Sequence, residues 1–368
     1  MITVLFETQH LYYLPQFRPV IEELKNRGGY AVSLSMPTTV DPWEQVLLEK
    51  ASANLQVEFI TAGSEDDRVT RLRDRGFDVI VVGNVGKLED IATDPAVTVM
   101  IYHGIGLKWS YYRDTVPRVD IRAVESESRF RDLKVQGADN LALVGFTKLD
   151  PISRLMKSHP GPNLEDWGLD PSRRTVLYAP TFYPSSLEKV LPFLPVLARK
   201  ANVIIKLHNF SWFKHRFEHQ SRKAENVARG NAGICLLPKE EYNILPFYVA
   251  SDALISDISS TLFEYLALNR PIIQTHFFSL KLKHRLFPSR LAKKLDSLRA
   301  REVDFTHPLA RPEDLVRVTE EALEDPHNLE EARRVARDRY LYRIDGRASS
   351  RLVDTVETRL RESGRKAA

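Results

Sequence analysis

The sequence predicts an α/β protein with two Rossmann-like domains, each built on a doubly wound parallel sheet. Short apolar runs rich in β-branched residues alternate with segments whose apolar residues recur at helical spacing. Such alternation is typical of βαβ units. The series restarts after a loop rich in turn formers near residue 160, and 368 residues are more than one hydrophobic core usually serves.

The first series predicts a domain of residues 1–160. A helix is predicted at Leu14–Asn26, where Arg27-Gly28-Gly29 provides the stop. The predicted strands are Ile2–Phe6, Ala31–Ser35, Val57–Ile60, Val79–Val82 and Val97–Tyr102.

The second series predicts a domain of residues 161–345. Its predicted strands are Val176–Tyr178, Val203–Leu207, Ile234–Leu236, Ala253–Ile255 and Pro271–Gln274. Its predicted helices are Val190–Lys200, Tyr242–Ala250, Thr261–Leu268 and Pro312–Glu324. A final helix, Ala348–Glu362, lies within residues 346–368, and we expect it to pack back on the first domain.

Composition narrows the class of protein. The formal net charge of +4 and the pI near 8.9 suit an anionic partner, such as a phosphate-bearing substrate or a membrane surface, and are too small to indicate nucleic acid. The single cysteine, Cys235, excludes an intramolecular disulfide and fits a reducing compartment. The apolar run before Glu7 is too short for a signal peptide, and no run approaches the length of a membrane span. We therefore expect a cytoplasmic protein that is not integral to the membrane.

Residues that directly follow strands are the first candidates for a site, because open parallel sheets bind ligands beyond the carboxyl ends of their strands. His103 follows the strand Val97–Tyr102. A neutral imidazole there could take a proton from an attacking hydroxyl. The alternative is a histidine satisfied by backbone groups in a strand-end turn.

Lys206 and His208 form a second candidate. Residues two apart on a strand share a face, and two donors together suit a phosphate. The alternative is a basic strand edge in solvent. Thr181, after the strand Val176–Tyr178, is expected to face the same site.

A third candidate is the segment from Ser256 to Glu264, where a strand leads into a helix. A helix start can bind an anion through its backbone N–H groups, and hydroxyls there add donors. However, Thr261 and Glu264 have the spacing of a capping box, which needs no ligand. The spacing leaves both interpretations open.

Several common phosphate and metal motifs are absent from the sequence, namely GxxxxGK[ST], HExxH and an Asp-x-Asp pair. Phosphoryl chemistry would therefore rely on histidine, lysine and a helix start for charge neutralisation. We expect no cofactor and no metal site.

Taken together, these segments resemble the CDP-glycerol glycerophosphotransferase family, which includes teichoic acid and capsule polymerases and primases. The resemblance runs from about residue 97 to 355. The motifs that carry it are Tyr102-His103-Gly104-Ile105-Gly106-Leu107-Lys108, Tyr178-Ala179-Pro180-Thr181, Lys206-Leu207-His208, Asp257-Ile258-Ser259-Ser260 with Glu264, Leu268-Asn269-Arg270-Pro271, and Asp345-Gly346 with Arg351.

The resemblance implies a GT-B fold, with an acceptor-side first domain and a donor-side second domain facing across a cleft. It implies transfer of glycerol phosphate or a similar polyol phosphate from a CDP-linked donor to a polymeric or lipid-linked acceptor, with release of CMP. His103 would be the catalytic base and His208 the second catalytic residue. The resemblance places the donor's diphosphate at His208, Thr181 and the helix start Ser259-Ser260-Thr261. We expect Lys206, Asp257 and Glu264 to bind the donor as well.

The sequence departs from the family pattern at three places. Ile105-Gly106 replaces the usual Thr-Pro, and Phe182-Tyr183 stands where an arginine commonly follows the threonine. The segment Ser279–Lys294 is basic where acidic sequence is expected. It is either a solvated basic face or a contact for anionic lipid or polymer. We expect at most weak peripheral association with the inner face of the membrane.

Two other functions stay open from the sequence. One is a nucleotide-sugar glycosyltransferase or epimerase on the same fold, although Glu264 is the one obvious acid for sugar hydroxyls. The other is a module that binds a nucleotide or an anionic polymer without turnover. The acceptor, the choice between glycerol and ribitol, the choice between primase and polymerase, and the oligomeric state are undetermined by the sequence.

Overall fold

The computed structural model describes residues 1–106, 117–157, 162–281 and 303–363. The chain divides into two compact units. Unit 1 comprises the described residues of Met1–Gly104, Tyr112–Ser153 and Arg339–Ala368, and unit 2 comprises those of Ile105–Tyr111 and Arg154–Asp338. The boundary predicted near residue 160 falls on residues 158–161, which lie outside the described part, so the predicted domain bounds remain a prediction.

Unit 1 contains a parallel sheet of seven strands in the order β3-β2-β1-β4-β5-β6-β7. The strand order reverses between β1 and β4, the point at which such sheets bind ligands. The strands are β1 Ile2–Glu7, β2 Tyr30–Ser35, β3 Glu58–Ile60, β4 Val79–Val82, β5 Val97–Ile101, β6 Ile121–Val124 and β7 Leu141–Leu143.

Unit 2 contains a parallel sheet of six strands in the order β10-β9-β8-β11-β12-β13, which reverses between β8 and β11. Its core is apolar, and Val176, Ile205 and Ile255 are fully buried on neighbouring strands. The strands are β8 Thr175–Tyr178, β9 Asn202–Ile205, β10 Ile234–Leu236, β11 Ala253–Ser256, β12 Ile272–Thr275 and β13 His307–Leu309.

Helices connect these strands. None of the helices in the described ranges is both long enough and apolar enough to cross a membrane. The α-helices of those ranges are α1 Leu14–Arg27, α2 Pro42–Leu55, α3 Glu65–Arg75, α4 Leu88–Ile91, α5 Glu127–Val135, α6 Ile152–Lys157, α7 Leu187–Val190, α8 Leu194–Leu197, α9 Asn209–Phe213, α10 Glu218–Arg229, α11 Leu245–Ala250, α12 Thr261–Glu264, α13 Leu315–Glu324, α14 Glu330–Tyr340 and α15 Ala348–Glu362.

The structure contains elements beyond those predicted from the sequence, among them the helices α2, α3, α5, α10 and α14. Strands β6, β7 and β13 were not predicted. Arg122 interrupts the apolar run of β6, and Pro308 lies within β13, where a strand interior disfavours proline. The single helix predicted at Val190–Lys200 is instead a series of short helical turns. Pro192 and Pro195 each begin a new turn, because proline lacks the N–H that a continuous helix requires.

The C-terminal helix α15 packs against α1 within unit 1, as predicted. Its inner face is apolar and buried through Leu352, Val353 and Val356. Arg27 of α1 binds it by donating to the carbonyl of Ser350 at 3.0 Å and to the carboxylate of Glu357 at 3.1 Å.

The start of α15 is fixed by backbone hydrogen bonds to Asp150 and by an ion pair of Arg351. The Asp150 carboxylate accepts from the N–H groups of Ala348 at 2.9 Å and Ser349 at 2.7 Å. Arg351 forms a two-point ion pair with Asp345 and donates to the carbonyl of Val144 at 2.7 Å. The Asp-Gly…Arg motif of the family resemblance therefore has a structural task in unit 1, which is to anchor this helix.

Asp150→Ala should lower the free energy of unfolding by about 1–2 kcal/mol, the usual cost of a lost helix cap. The two N–H groups would lose their carboxylate, and the negative charge would leave the positive end of the helix dipole. Urea denaturation followed by circular dichroism measures the change. Asp74→Ala is the control, because the Asp74 side chain is 67% exposed. This substitution should change the free energy of unfolding by less than about 0.5 kcal/mol. Equal stability of both variants would contradict the assigned cap.

Candidate active site

His103 lies just beyond the carboxyl end of β5 in unit 1. Its Nδ1 is 3.2 Å from the carbonyl oxygen of Gly83, which follows the neighbouring strand β4. A carbonyl oxygen only accepts, so Nδ1 carries the proton and donates. In the neutral ring Nε2 is then the unprotonated nitrogen, which is the form a general base requires.

The turn around His103 is held from two other elements. The side-chain amide of Gln16, on α1, donates to the His103 carbonyl at 3.0 Å. Arg129, fully buried on α5, donates to the Gly104 carbonyl at 2.8 Å, and its guanidinium lies 4.5 Å from the centre of the Tyr102 ring. These contacts make the His103 backbone rigid. Sequence analysis missed Gln16 and Arg129, because neither follows a strand.

An aromatic residue packs beside the His103 ring. Tyr13 meets it edge-on with ring centres 4.8 Å apart, and its hydroxyl accepts from the Asn84 amide at 2.7 Å. A Cβ atom at Gly83 would lie 2.2 Å from the Tyr13 ring. Glycine is therefore required at position 83 for this packing.

Gly106, in the motif that contains His103, groups with unit 2. Its φ is +100°, and a Cβ atom there would fall 2.1 Å from the Phe263 ring. Both observations exclude a larger residue. Lys108, at the end of the same motif, lies outside the described residues.

Asp257, after β11 in unit 2, is fully buried and holds the loop that follows β8. Its Oδ1 accepts from the N–H of Thr181 at 2.7 Å. Its Oδ2 accepts from the N–H and the hydroxyl of Ser186, both at 3.0 Å. Tyr178 in turn donates to the Ser186 hydroxyl at 2.9 Å. Burial of Tyr178, together with the nearby charge of Asp257, raises the pKa of the Tyr178 hydroxyl well above its ordinary value. Asp257 thus fixes Thr181, which is 4% exposed.

His208 is the N-cap of α9. Its Nδ1 accepts from the backbone N–H of Phe210 at 3.1 Å, so Nδ1 is unprotonated and the proton of the neutral ring is on Nε2. His208 can therefore donate one hydrogen bond from Nε2, the opposite arrangement to His103. Strand β9 ends at Ile205, so the strand-spacing argument that put His208 and Lys206 on one face does not apply.

The surroundings of His208 are aromatic. Phe182, which stands where the family commonly has arginine, lies 4.7 Å from the His208 ring between ring centres, and Phe210 lies at 5.2 Å. Lys206 is 7% exposed, and its ammonium donates to the Leu207 carbonyl at 3.0 Å. The Lys206 charge is thus held mostly out of solvent.

The helix start after β11 differs from the predicted capping box. The helix α12 begins at Thr261, so its N-cap is Ser260, whose own side chain makes no capping hydrogen bond. The Ser259 hydroxyl instead accepts from the N–H of Thr261 at 3.3 Å. The buried Glu264 carboxylate accepts from the hydroxyls of Ser260 and Tyr248, both at 2.9 Å. The capping-box assignment is wrong, because Glu264 binds side chains in place of the N-cap backbone N–H.

These contacts decide which groups at the helix start can still donate. Ser256 donates to the Ala179 carbonyl, so the Thr261 hydroxyl must donate to Ser256 at 2.8 Å. The Ser260 hydroxyl proton is engaged by Glu264. Within the described ranges, the N–H groups of Ile258 and Ser260 and the hydroxyl proton of Ser259 donate to no acceptor. Three donors therefore remain for an anion.

A lysine lies beside the loop that follows β8 in unit 2. Lys281 donates its backbone N–H to the Tyr183 hydroxyl at 3.2 Å, and its ammonium lies 5.2 Å from the Tyr183 ring centre. Lys281 thus lies against Tyr183, in the loop where the family commonly has an arginine. The remaining basic residues of Ser279–Lys294 lie outside the described residues, and membrane contact by this segment stays a prediction.

Two further observations concern the cysteine and possible metal ligands. Cys235 is buried, and burial raises the pKa of its thiol to about 11, which suppresses the nucleophilic thiolate. In the described ranges no three His, Cys, Asp or Glu side chains are grouped so that they could hold a metal ion. The GT-B resemblance implies that His103 and His208 face one cleft from the two domains, and this stays a prediction.

Comparisons with known proteins agree with the motifs. A family model described as CDP-Glycerol:Poly(glycerophosphate) glycerophosphotransferase matches residues 125–358. No curated protein sequence matches the chain.

Several solved structures are similar to the chain. The wall teichoic acid polymerase TagF is 13% identical, with a TM-score of 0.68, over 98% of this chain and 89% of its own. A histidine-to-asparagine variant of it soaked with CDPG is 14% identical, with a TM-score of 0.70 and the same coverage. MnaA of S. aureus with UDP is 13% identical, with a TM-score of 0.65, over 100% of this chain and 99% of its own. These similarities confirm the predicted GT-B fold.

The two histidine tautomers can be measured directly. At about pH 8, where an ordinary imidazole is neutral, long-range ¹H–¹⁵N spectra of histidine-labelled protein should show His103 protonated on Nδ1 and His208 on Nε2. Phe210→Pro, which removes the donor N–H from the first turn of α9, should release His208 to a mixture of tautomers and leave His103 unchanged. The same tautomer at both positions would contradict the assigned hydrogen bonds.

Proposed function

Because the chain belongs to the CDP-glycerol:poly(glycerophosphate) glycerophosphotransferase family, we propose that it transfers glycerol phosphate, or a similar polyol phosphate, from a CDP-linked donor to an acceptor hydroxyl and releases CMP. The proposed acceptor is a cell-envelope polymer or a lipid-linked precursor. The observation that carries the proposal is the His103 ring, whose Nδ1–H bond to Gly83 leaves Nε2 as a base beyond a strand end.

The proposed reaction is a single displacement at phosphorus. Nε2 of His103 takes the proton of the acceptor hydroxyl as its oxygen attacks the phosphorus that carries the polyol. The bond from that phosphorus to the bridging oxygen breaks, and CMP leaves with the electron pair. A new phosphodiester joins the polyol phosphate to the acceptor. Such a step depends on alignment and on neutralisation of the diphosphate charge.

The donor side is proposed to lie on unit 2. Nε2–H of His208 would donate to a diphosphate oxygen, and the Phe210 contact makes this a neutral hydrogen bond, since a protonated Nδ1 would face another donor. The N–H groups of Ile258 and Ser260 and the Ser259 hydroxyl would add donors to the leaving phosphate. Positive charge would come from Lys206 and Lys281.

Asp257 is proposed to act as a positioning residue, in place of the direct donor-binding role predicted from the sequence. Its carboxylate is buried and already accepts from Thr181 and Ser186. A buried carboxylate would also repel a diphosphate. Its contribution to donor binding is therefore to hold the loop that presents Thr181.

A nucleotide-sugar enzyme is the second candidate, because MnaA of S. aureus with UDP is structurally similar. Glu264, the acid that such chemistry would use, is 1% exposed and accepts from Tyr248 and Ser260. This arrangement favours a structural task for Glu264. CMP release from CDP-glycerol, compared with turnover of UDP-linked sugars, separates these two enzymatic candidates. Binding of CDP-glycerol without release of CMP would instead indicate a binding module.

Substitution of the two histidines should separate their roles. His103→Ala should lower turnover by about 10²–10⁴-fold, because a positioned base contributes this much, and should retain CDP-glycerol binding. His208→Ala should weaken donor binding, turnover or both, by roughly 10²–10³-fold. Ser259→Ala should have a smaller effect, because the backbone donors remain. CMP release and calorimetric binding of CDP-glycerol measure these effects.

The matched control for the histidines is His327→Ala. The His327 side chain is 82% exposed and lies near the amino ends of the unit 2 strands. Its activity should equal that of the unchanged protein. Full activity of His103→Ala would exclude the base assignment. Each assay is repeated with EDTA, and loss of activity there would show that the reaction needs a metal ion.

Asp257→Asn tests the positioning role. The amide nitrogen would face the N–H of Thr181 or of Ser186, so a buried donor would lose its acceptor at a cost of about 1–3 kcal/mol in stability. CDP-glycerol affinity should fall as this loop loosens. Asp252→Asn is the control. Asp252 precedes β11, at the end of the strand opposite to Asp257, and its carboxylate accepts from the N–H of Thr175 at 2.8 Å. It should lower stability and keep donor affinity, and equal affinity losses in both variants would contradict the proposed role.

A further inference from the structure

A second histidine lies at the ligand-binding edge of unit 1, and the reaction described above does not use it. His10 follows β1, at the point where the strand order reverses. Its Nδ1 is 3.3 Å from Oε1 of Glu44, a residue of α2 that is 0% exposed. The other carboxylate oxygen of Glu44 accepts from the backbone N–H of Leu11 at 2.9 Å.

The Glu44 carboxylate fixes the orientation of His10. A carboxylate oxygen accepts, so Nδ1 of His10 donates to it, and Nε2 is on the other side of the ring. The side chain of His10 is 19% exposed, whereas its partner is fully buried. A carboxylate hydrogen-bonded to one ring nitrogen is the arrangement by which proteins orient a functional imidazole.

Tyr12 lies between His10 and His103. Its ring stacks on His10 with centres 5.4 Å apart at an angle of 17°, and it meets His103 at 5.6 Å. An aromatic ring therefore separates the two imidazoles, so His10 is placed to contact a group of the acceptor other than the hydroxyl at His103. All three side chains are partly exposed at the same sheet edge.

We propose that His10 and Tyr12 form a subsite for the phosphate group adjacent to the attacking hydroxyl of an acceptor polyol phosphate. This inference rests on the proposed function, because it takes His103 as the residue that receives the hydroxyl proton. In the proposed complex the His10 ring lies between two anions, the Glu44 carboxylate and the acceptor phosphate, and donates one N–H to each. Hydrogen bonds between ionised groups are the stronger kind. The Tyr12 ring supplies a flat surface for the polyol carbons.

The test compares His10→Gln with His327→Gln, a matched control that removes an exposed histidine paired with Glu330 at 2.6 Å in unit 2. The acceptors are a trimer of glycerol phosphate and uncharged 1-O-octylglycerol, with CDP-glycerol as the donor. His10→Gln should raise KM for the trimer about tenfold, in line with a lost charge-assisted hydrogen bond. It should leave kcat, KM for octylglycerol and CDP-glycerol affinity unchanged. His327→Gln should match the unchanged protein throughout.

Calorimetric binding of the trimer without donor keeps the subsite separate from the proposed function. If His10→Gln binds the trimer more weakly and the unchanged protein releases no CMP, the result would support the subsite and reject the transferase function. Equal trimer affinity in both variants, or no trimer binding to the unchanged protein, would overturn the subsite. A fall in kcat with unchanged KM would also overturn it. Thermal unfolding confirms that His10→Gln is folded, and Glu44→Gln should reproduce its KM effect in part.

Discussion

Parallel pairing of the strands is the constraint on which both candidate sites depend. Every pairing of neighbouring strands in the two sheets runs parallel, so the residues that follow the strands of a unit are brought to one edge of its sheet. In unit 1 this places Gly83 beside His103, although 20 residues separate them. In unit 2 it places Thr181 beside Asp257, 76 residues away. The site chemistry follows from this placement, since neither contact is local in sequence.

Buried carboxylates hold the loops at these edges. Glu44 binds the N–H of Leu11 and orients His10, and Asp257 binds the loop from Thr181 to Ser186. A buried carboxylate is costly unless it accepts several hydrogen bonds, and here each one does. The result is a loop fixed by groups beneath the surface, which leaves the outer side of each edge for a ligand. Asp150 uses the same device for a purely structural end at α15.

The hydrogen-bond partners of the two histidines give them complementary chemistry. A carbonyl beside His103 leaves Nε2 as an acceptor, and a backbone N–H beside His208 leaves Nε2–H as a donor. A transfer between two oxygen atoms needs one group of each kind, at the attacking hydroxyl and at the leaving phosphate. In the proposed reaction each unit would supply one of these two groups, and the hydrogen-bond partner of each histidine decides which one.

The sequence by itself determined the alternation of strands and helices, the positions of His103, His208 and Asp257 after strands, and the motifs that indicate the family. Periodicity and strand ends are local properties, so one segment suffices to predict them. The tertiary structure alone decided the protonated nitrogen of each histidine, the structural tasks of Asp257 and Glu264, and the support of His103 by Gln16 and Arg129. It also placed His10, Tyr12 and Glu44 together. These features depend on hydrogen bonds between groups that are distant in sequence, and residue spacing carries no information about such contacts until the chain is packed.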